Sequence, residues 1–212
     1  MRASSVSFSL LLLSSLAVLV GGCFPNIGAP SKPTQFYVLN SREDMETGSA
    51  APTMTLASGA PVGVGPVRIP QYLDRPHIVI RAEENRVRIS TFSYWAEPLQ
   101  DGLTRVLVDN LSILLKPYRV ETLPWARPAD GAYRLEVSVI RFDGDVGKNA
   151  TLRVRWSLIA EKDQRELLSK ESIITEPVTG PEMADLLSAL SRAVADFTRE
   201  IAEAVAALET RG

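Results

Sequence analysis

Three alternating segments in succession constrain this chain most. In AYRLEVSVIRF (132–142), Tyr133, Leu135, Val137 and Val139 fall on one side, against Arg134, Glu136 and Ser138 on the other. In TLRVRWSLIAE (151–161), Leu152, Val154, Trp156 and Leu158 oppose Arg153, Arg155 and Ser157. ELLSKESIIT (166–175) follows, and DGDVGKN and KDQR form the turns. A period of two with short polar turns is the pattern of an antiparallel meander, one face buried and one wet. Such a sheet needs a cover. The last segment supplies one: from Pro181 onward, Met183, Leu187, Leu190, Val194, Phe197, Ile201, Val205 and Leu208 recur at threes and fours, the stripe of an amphipathic helix. The expected fold is α/β (α+β): a mainly antiparallel sheet with two principal helices packed on it, as a single domain over 35–212.

The other principal helix is predicted from Gln100 to Lys116, where Leu103, Val106, Leu107, Asn110, Leu111 and Leu114 share a face and Pro117 ends the run. Pro98 suits a first helical position. Upstream, QFYVL (35–39) reads as a first strand and PVGVGPVRI (61–69) as another. Gly63, Gly65 and Pro66 in the latter point to a bulge, an edge or a close backbone approach. IVIR, EEN and RVRIS form a hairpin, and YRVETL (118–123) a further strand. The Ser/Gly/Ala/Pro/Thr-rich stretch 41–61 is expected to be a mobile connection.

The N-terminus specifies a location. Arg2, an apolar run from Val6 to Val20, and Gly21-Gly22 before Cys23 describe a removable signal, the run being too short to span a bilayer. Val20-Gly21-Gly22-Cys23 resembles the lipobox of bacterial lipoproteins, which makes 1–22 the signal peptide and Cys23 the lipid anchor. Loss of Arg2 with the signal takes the net side-chain charge from −2 to −3. A mildly acidic chain with dispersed signs argues against nucleic acid. Residues 23–34 form the acylated cysteine and a Pro/Gly/Ser-rich tether, whose last eleven residues reach about 39 Å at most. Phe24 after the cysteine, by resemblance to Gram-negative lipoproteins, implies the periplasmic face of the outer membrane.

The catalytic repertoire is thin. Cys23 is the only cysteine and His77 the only histidine, so with Cys23 consumed by acylation no Cys/His zinc site and no Cys–His pair can form. There is no G-x-S-x-G elbow and no phosphate-binding G-x-x-x-x-G-K-[ST] loop. His77, between Pro76 and an apolar strand, reads as structural. Glu83/Glu84 and Asp143/Asp145 fall in predicted turns and read as solvated acids. The chain is expected to be a binding or assembly protein, not an enzyme, with no cofactor and no metal.

VGVGPVRIPQYLDRPHIVIRAEENRVRISTFSYWAEPLQDGLTRVLVDNLSILL (62–115) resembles the auxiliary lipoproteins of MCE-type lipid transport systems, the PqiC family. The resemblance rests on G-P-V-x-[IL]-P-x-Y-L-D-R-P, on W-A-E-P-L opening a leucine-rich helix that runs through DNL, and on FYVLNS upstream. Tyr94 departs from the basic residue expected before the tryptophan. The resemblance implies an outer-membrane lipoprotein that partners an MCE-domain protein and an inner-membrane permease or ABC transporter. It also implies phospholipid or another apolar lipid as cargo and a role in membrane integrity; a homo-oligomer would suit ring-forming MCE partners. The partner-binding residues expected are Tyr72, Leu73, Asp74, Arg75, Pro76, Tyr94 and Trp95, since an exposed turn of Tyr and Leu beside an Asp-Arg pair has hot-spot composition. The alternative is a lipoprotein activator or scaffold for a cell-wall synthase, which the short tether disfavours; a lipid-binding periplasmic enzyme is a weaker third reading.

Overall fold

The computed structural model describes residues 32–42, 60–116, 119–125 and 131–210. Cys23, the signal segment, nearly all of the tether and residues 43–59 of the expected mobile connection lie outside them. The chain separates into two units, Met1–Pro33 and Thr34–Gly212, and the described strands and helices lie in the second. In order these are β1 (Gln35–Tyr37), β2 (Val62–Arg68), β3 (His77–Glu83), β4 (Arg86–Trp95), α1 (Leu99–Leu114), β5 (Val120–Thr122), β6 (Tyr133–Gly144), β7 (Asn149–Ala160), β8 (Arg165–Pro177) and α2 (Met183–Glu209).

The meander is present as read. β6, β7 and β8 pair antiparallel, and Leu135, Val137, Val139, Leu152, Val154, Trp156 and Leu158 are buried. α2 lays its stripe on β6–β8 and packs against α1, which covers β2 and β5. Its first turn closes with a capping box in which Asp185 Oδ2 accepts from the Glu182 N–H at 2.9 Å, satisfying donors that a helix start leaves free. Trp156 meets Phe197 edge-on, with ring centroids 6.0 Å apart.

The α+β class with two principal helices holds, but the strands divide between two sheets. One has the order β5-β2-β6-β7-β8, the other β1-β4-β3. Both contain parallel pairs: β2 with β5 and with β6, and β1 with β4. β2 is thus an interior strand, and Pro66 is accommodated by a bulge, since the register with β6 shifts between Val64 and Val67. Gly63 marks the close approach its sequence context suggests. A Cβ there would stand 2.5 Å from Trp125 Cζ2, nearer than real Cβ contacts allow. Pro98 is the N-cap of α1, not its first helical residue.

A second irregularity shapes the outer face of the meander. The register of β6 with β7 shifts between Val139 and Arg141. A bulge reverses the in/out alternation of a strand. Phe142 therefore continues the buried set of Val139, while Arg141 and Asp143 project from the opposite face beside Arg153 and Thr151, their partners on β7.

Candidate functional site

The turn between β2 and β3 carries most of the sequence-predicted patch. The Leu73 N–H donates to the Pro70 C=O at 2.9 Å and the Arg75 N–H to the Leu73 C=O at 2.8 Å. Coiled this way, the turn sends Leu73 inward, where it is 2% exposed. The sequence reading has Tyr72 and Leu73 exposed side by side; Leu73 instead plugs the turn into the core, a burial that stabilises by roughly 1.5–3 kcal/mol. Asp74 and Pro76 stay at the surface, and Tyr72 and Arg75 are half-buried.

β4 delivers the second motif to the same place. The Trp95 N–H donates to the Pro76 C=O at 2.7 Å, and the Ala96 N–H to the Tyr37 C=O at 2.8 Å. The D-R-P and W-A-E-P-L segments, separate in sequence, are joined backbone to backbone. Between them opens a pocket of about 350 Å³, with Asp74, Arg75 and Pro76 on one side and Trp95, Glu97 and Leu99 on the other. Trp95 is 8% exposed and stacks on Phe142, ring centroids 6.5 Å apart, so it forms the pocket's base and not its rim. Glu97 is held by Arg105 at 2.7 Å. Arg75 Nε is buried and donates to nothing among the described residues.

Not every predicted site residue joins this pocket. Tyr94 lies across β4 from Trp95, its ring 4.4 Å from that of His77 and 5.7 Å from that of Phe36. Those three side chains make an aromatic row across β1, β4 and β3, and the packing of His77 in it fits the structural role expected of that residue.

Tyr72 points elsewhere, to Asp143. The sequence reading places Asp143 in a solvated turn; it is a β6 residue with no exposed surface. Its Oδ1 accepts from Arg81 Nε at 3.1 Å and Arg141 Nε at 2.8 Å, and its Oδ2 from Arg81 Nη2 at 2.6 Å and the Tyr72 hydroxyl at 3.1 Å. A buried carboxylate survives only with partners of this kind. Burial, and then the charge and hydrogen bond of Asp143, push the Tyr72 hydroxyl up to about 12. The hydrogen bonds to Asp143 raise Arg81 in turn. Asp145 does sit in the turn, paired with Lys148 at 2.6 Å, and Glu83 pairs with Arg86 at the surface. The missed signal is the bulge: without it, Asp143 would share a face with Val137 and Val139.

The pocket thus offers an uncommitted donor, a surface carboxylate and apolar walls, a combination suited to recognising another molecule. Among the described residues no group of three His, Cys, Asp or Glu side chains could hold a metal ion, and no helix there is long and apolar enough to cross a membrane.

Residues 37–202 match the family described as the ABC-type transport auxiliary lipoprotein component. Among solved structures, an uncharacterized protein superposes with a TM-score of 0.67 at 20% identity, covering 82% of this chain and 99% of its own. A DUF330 protein from Xanthomonas campestris superposes with a TM-score of 0.61 at 23% identity, over 79% of this chain and 92% of its own. At these identities the likeness is one of fold. No curated protein matches the sequence.

Proposed function

We propose that this chain, which belongs to the family of ABC-type transport auxiliary lipoprotein components, is the outer-membrane docking component of an MCE-type lipid transport system that spans the envelope. Acylated Cys23 would hold it on the periplasmic face, with Phe24 permitting export from the inner membrane. The folded unit would then receive an MCE-domain protein, itself served by an inner-membrane permease or ABC transporter. The role is non-catalytic: a station in the passage of phospholipid or a similar apolar lipid, supporting membrane integrity. A tether of about 39 Å at most leaves the MCE partner to supply the reach.

One observation carries this reading. The two motifs that most resemble the PqiC family converge on a single open pocket, and Arg75 Nε is left there without an acceptor. A buried donor without a partner costs about 1–3 kcal/mol, so a partner that brings a carbonyl or carboxylate to Arg75 recovers that energy on docking.

The test is photo-crosslinking in cells from Asp74 and Pro76, both exposed and both on the pocket. Mass spectrometry of the adduct should return an MCE-domain protein. A cell-wall synthase in its place, with no MCE protein, overturns the transport reading and favours the activator.

A further inference from the structure

A second concavity, away from the docking pocket, lies where the β3–β4 hairpin faces the outer side of the meander. It encloses about 520 Å³, within the range of small-molecule sites. Two rows of side chains line it. On the sheet, Arg141, Arg153 and Ile173 are aligned in register across β6, β7 and β8, a row about 10 Å long at ordinary strand spacing. On the hairpin, Arg81 and Val87 are cross-strand partners. In each row, arginine stands at one end and an aliphatic side chain at the other. The arginine ends are joined, because Arg81 and Arg141 share Asp143. Val87 and Ile173 therefore mark the opposite end, and Ile173 is 64% exposed.

The charges do not cancel. Asp143 is one carboxylate between two guanidinium groups, and Glu171 likewise serves both Arg153 and Arg155. Tyr72, which also lines the groove, keeps its proton throughout the physiological range. Arg141 is the notable member. Its Nε is fixed on a fully buried carboxylate, while its two terminal nitrogens donate to nothing among the described residues. A guanidinium oriented from behind, with its terminal N–H groups free, is preorganised to grip a planar or tetrahedral oxyanion.

We propose that this groove binds an amphiphile with a phosphate head, the phosphate on Arg141 and flanked by Arg81 and Arg153, and the start of its hydrocarbon chain along Val87 and Ile173. Neither a free anion nor a neutral chain uses both ends. The inference does not rest on the docking pocket or on the identity of the transport partner.

The test uses the whole mature chain, 23–212, with Cys23→Ser so that no detergent is needed. Titration calorimetry compares three probes below micelle formation: octyl phosphate, octyl glucoside (the chain without the anion) and inorganic phosphate (the anion without the chain). Octyl phosphate should bind about 10-fold or more tighter than either, since both ends must contribute. Arg141→Gln should weaken it by about 10-fold, and Ile173→Ser by roughly 3-fold. Equal binding of octyl glucoside removes the anion site. Equal binding of inorganic phosphate reduces the groove to a free-phosphate site. Unchanged affinity in Ile173→Ser, a surface variant with no folding risk, places any binding elsewhere. Each of these outcomes overturns the proposal.

Discussion

Trp95 stacks on Phe142 with ring centroids 6.5 Å apart and planes 24° from parallel, and this contact fastens the three-stranded sheet to the five-stranded one. Both rings are buried. Trp95→Ala should therefore cost about 3–5 kcal/mol and lower the thermal midpoint by on the order of 10 °C, measured by calorimetry. Loss of partner capture in that variant would report weakened folding, not a lost contact. An unchanged midpoint would mean that the two sheets are held together elsewhere.

Arg75 should behave in the opposite way. Arg75→Ala removes a buried donor that makes no hydrogen bond in the free protein, so the midpoint should move by no more than about 2 °C. Capture of the docking partner should fall by roughly 30-fold, the scale of a hot-spot arginine. Quantitative pull-down of the wild-type and variant proteins against the same partner tests this. A stability loss without a binding loss would make Arg75 a residue of the turn alone.

Asp143 is the clearest case of an energetic role hidden behind an ordinary motif. Asp143→Ala leaves Arg81 and Arg141 facing each other without their shared carboxylate. Breaking a buried pair costs about 3–5 kcal/mol. Because the two arginines are 20% and 37% exposed, solvent recovers part of this, and about 2–3 kcal/mol is expected. Asp145→Ala, two residues on and in the turn proper, should change stability by about 0.5 kcal/mol or less. Urea denaturation of the two variants side by side separates them; equal effects would mean that the buried cluster does not hold the hairpin to β6.

How far the fold could be read depends on where its signal is local. Leu135–Val139 and Leu152–Leu158 alternate because one face is dry, and the α2 stripe repeats because it covers that face; burial writes itself into the sequence at short range. The parallel pairing of β2 with β6 leaves no such trace, since strands that pair across a long connection carry no mark of which neighbour they choose. β4 is harder still: Val87, Ile89 and Phe92 are exposed like the polar residues between them, so alternation says nothing about its sheet. At the pocket, the motif residues Asp74, Arg75, Pro76 and Trp95 were legible as a group. The inward turn of Leu73 and the departure of Tyr72 toward Asp143 were not: the first follows from the backbone hydrogen bonds that coil the turn, the second from a bulge in a strand far along the chain.

Tyr72 provides a pH-dependent signature of that cluster. Its hydroxyl ionises near 12 in the folded protein against about 10 in an unfolded chain. The folded state thus holds the proton more tightly, so the linked stability is fully present below pH 10 and is lost as pH rises from about 10 to 12. Phenolate absorbance should show a component titrating near 12 that Tyr72→Phe abolishes. That variant should also lose stability less steeply across the same window. A wild-type titration with no late component would place Tyr72 in water.

Ser172 tests how the edge strand is bound to the long helix. It is the one buried polar residue of β8, and its hydroxyl accepts from Trp156 Nε1 at 3.0 Å while donating to Glu200 Oε1 at 2.9 Å. Lys170 also pairs with Glu200, so the chain of contacts runs from the core tryptophan through β8 to the rim of α2. The two links differ in worth. Ser172→Ala leaves the indole N–H of a 1%-exposed tryptophan without its acceptor, a loss of about 1–3 kcal/mol. Glu200→Ala leaves that bond intact; it removes the acceptor of the Ser172 hydroxyl and a partly exposed ion pair, a loss of about 1 kcal/mol because water reaches this rim. The midpoint of Ser172→Ala should therefore fall further than that of Glu200→Ala, with a change in the near-ultraviolet tryptophan signal that the second variant lacks. The reverse order would place the weight on the rim: β8 would be held by charge at the surface, and its stability would then weaken with added salt, which the buried bond does not feel.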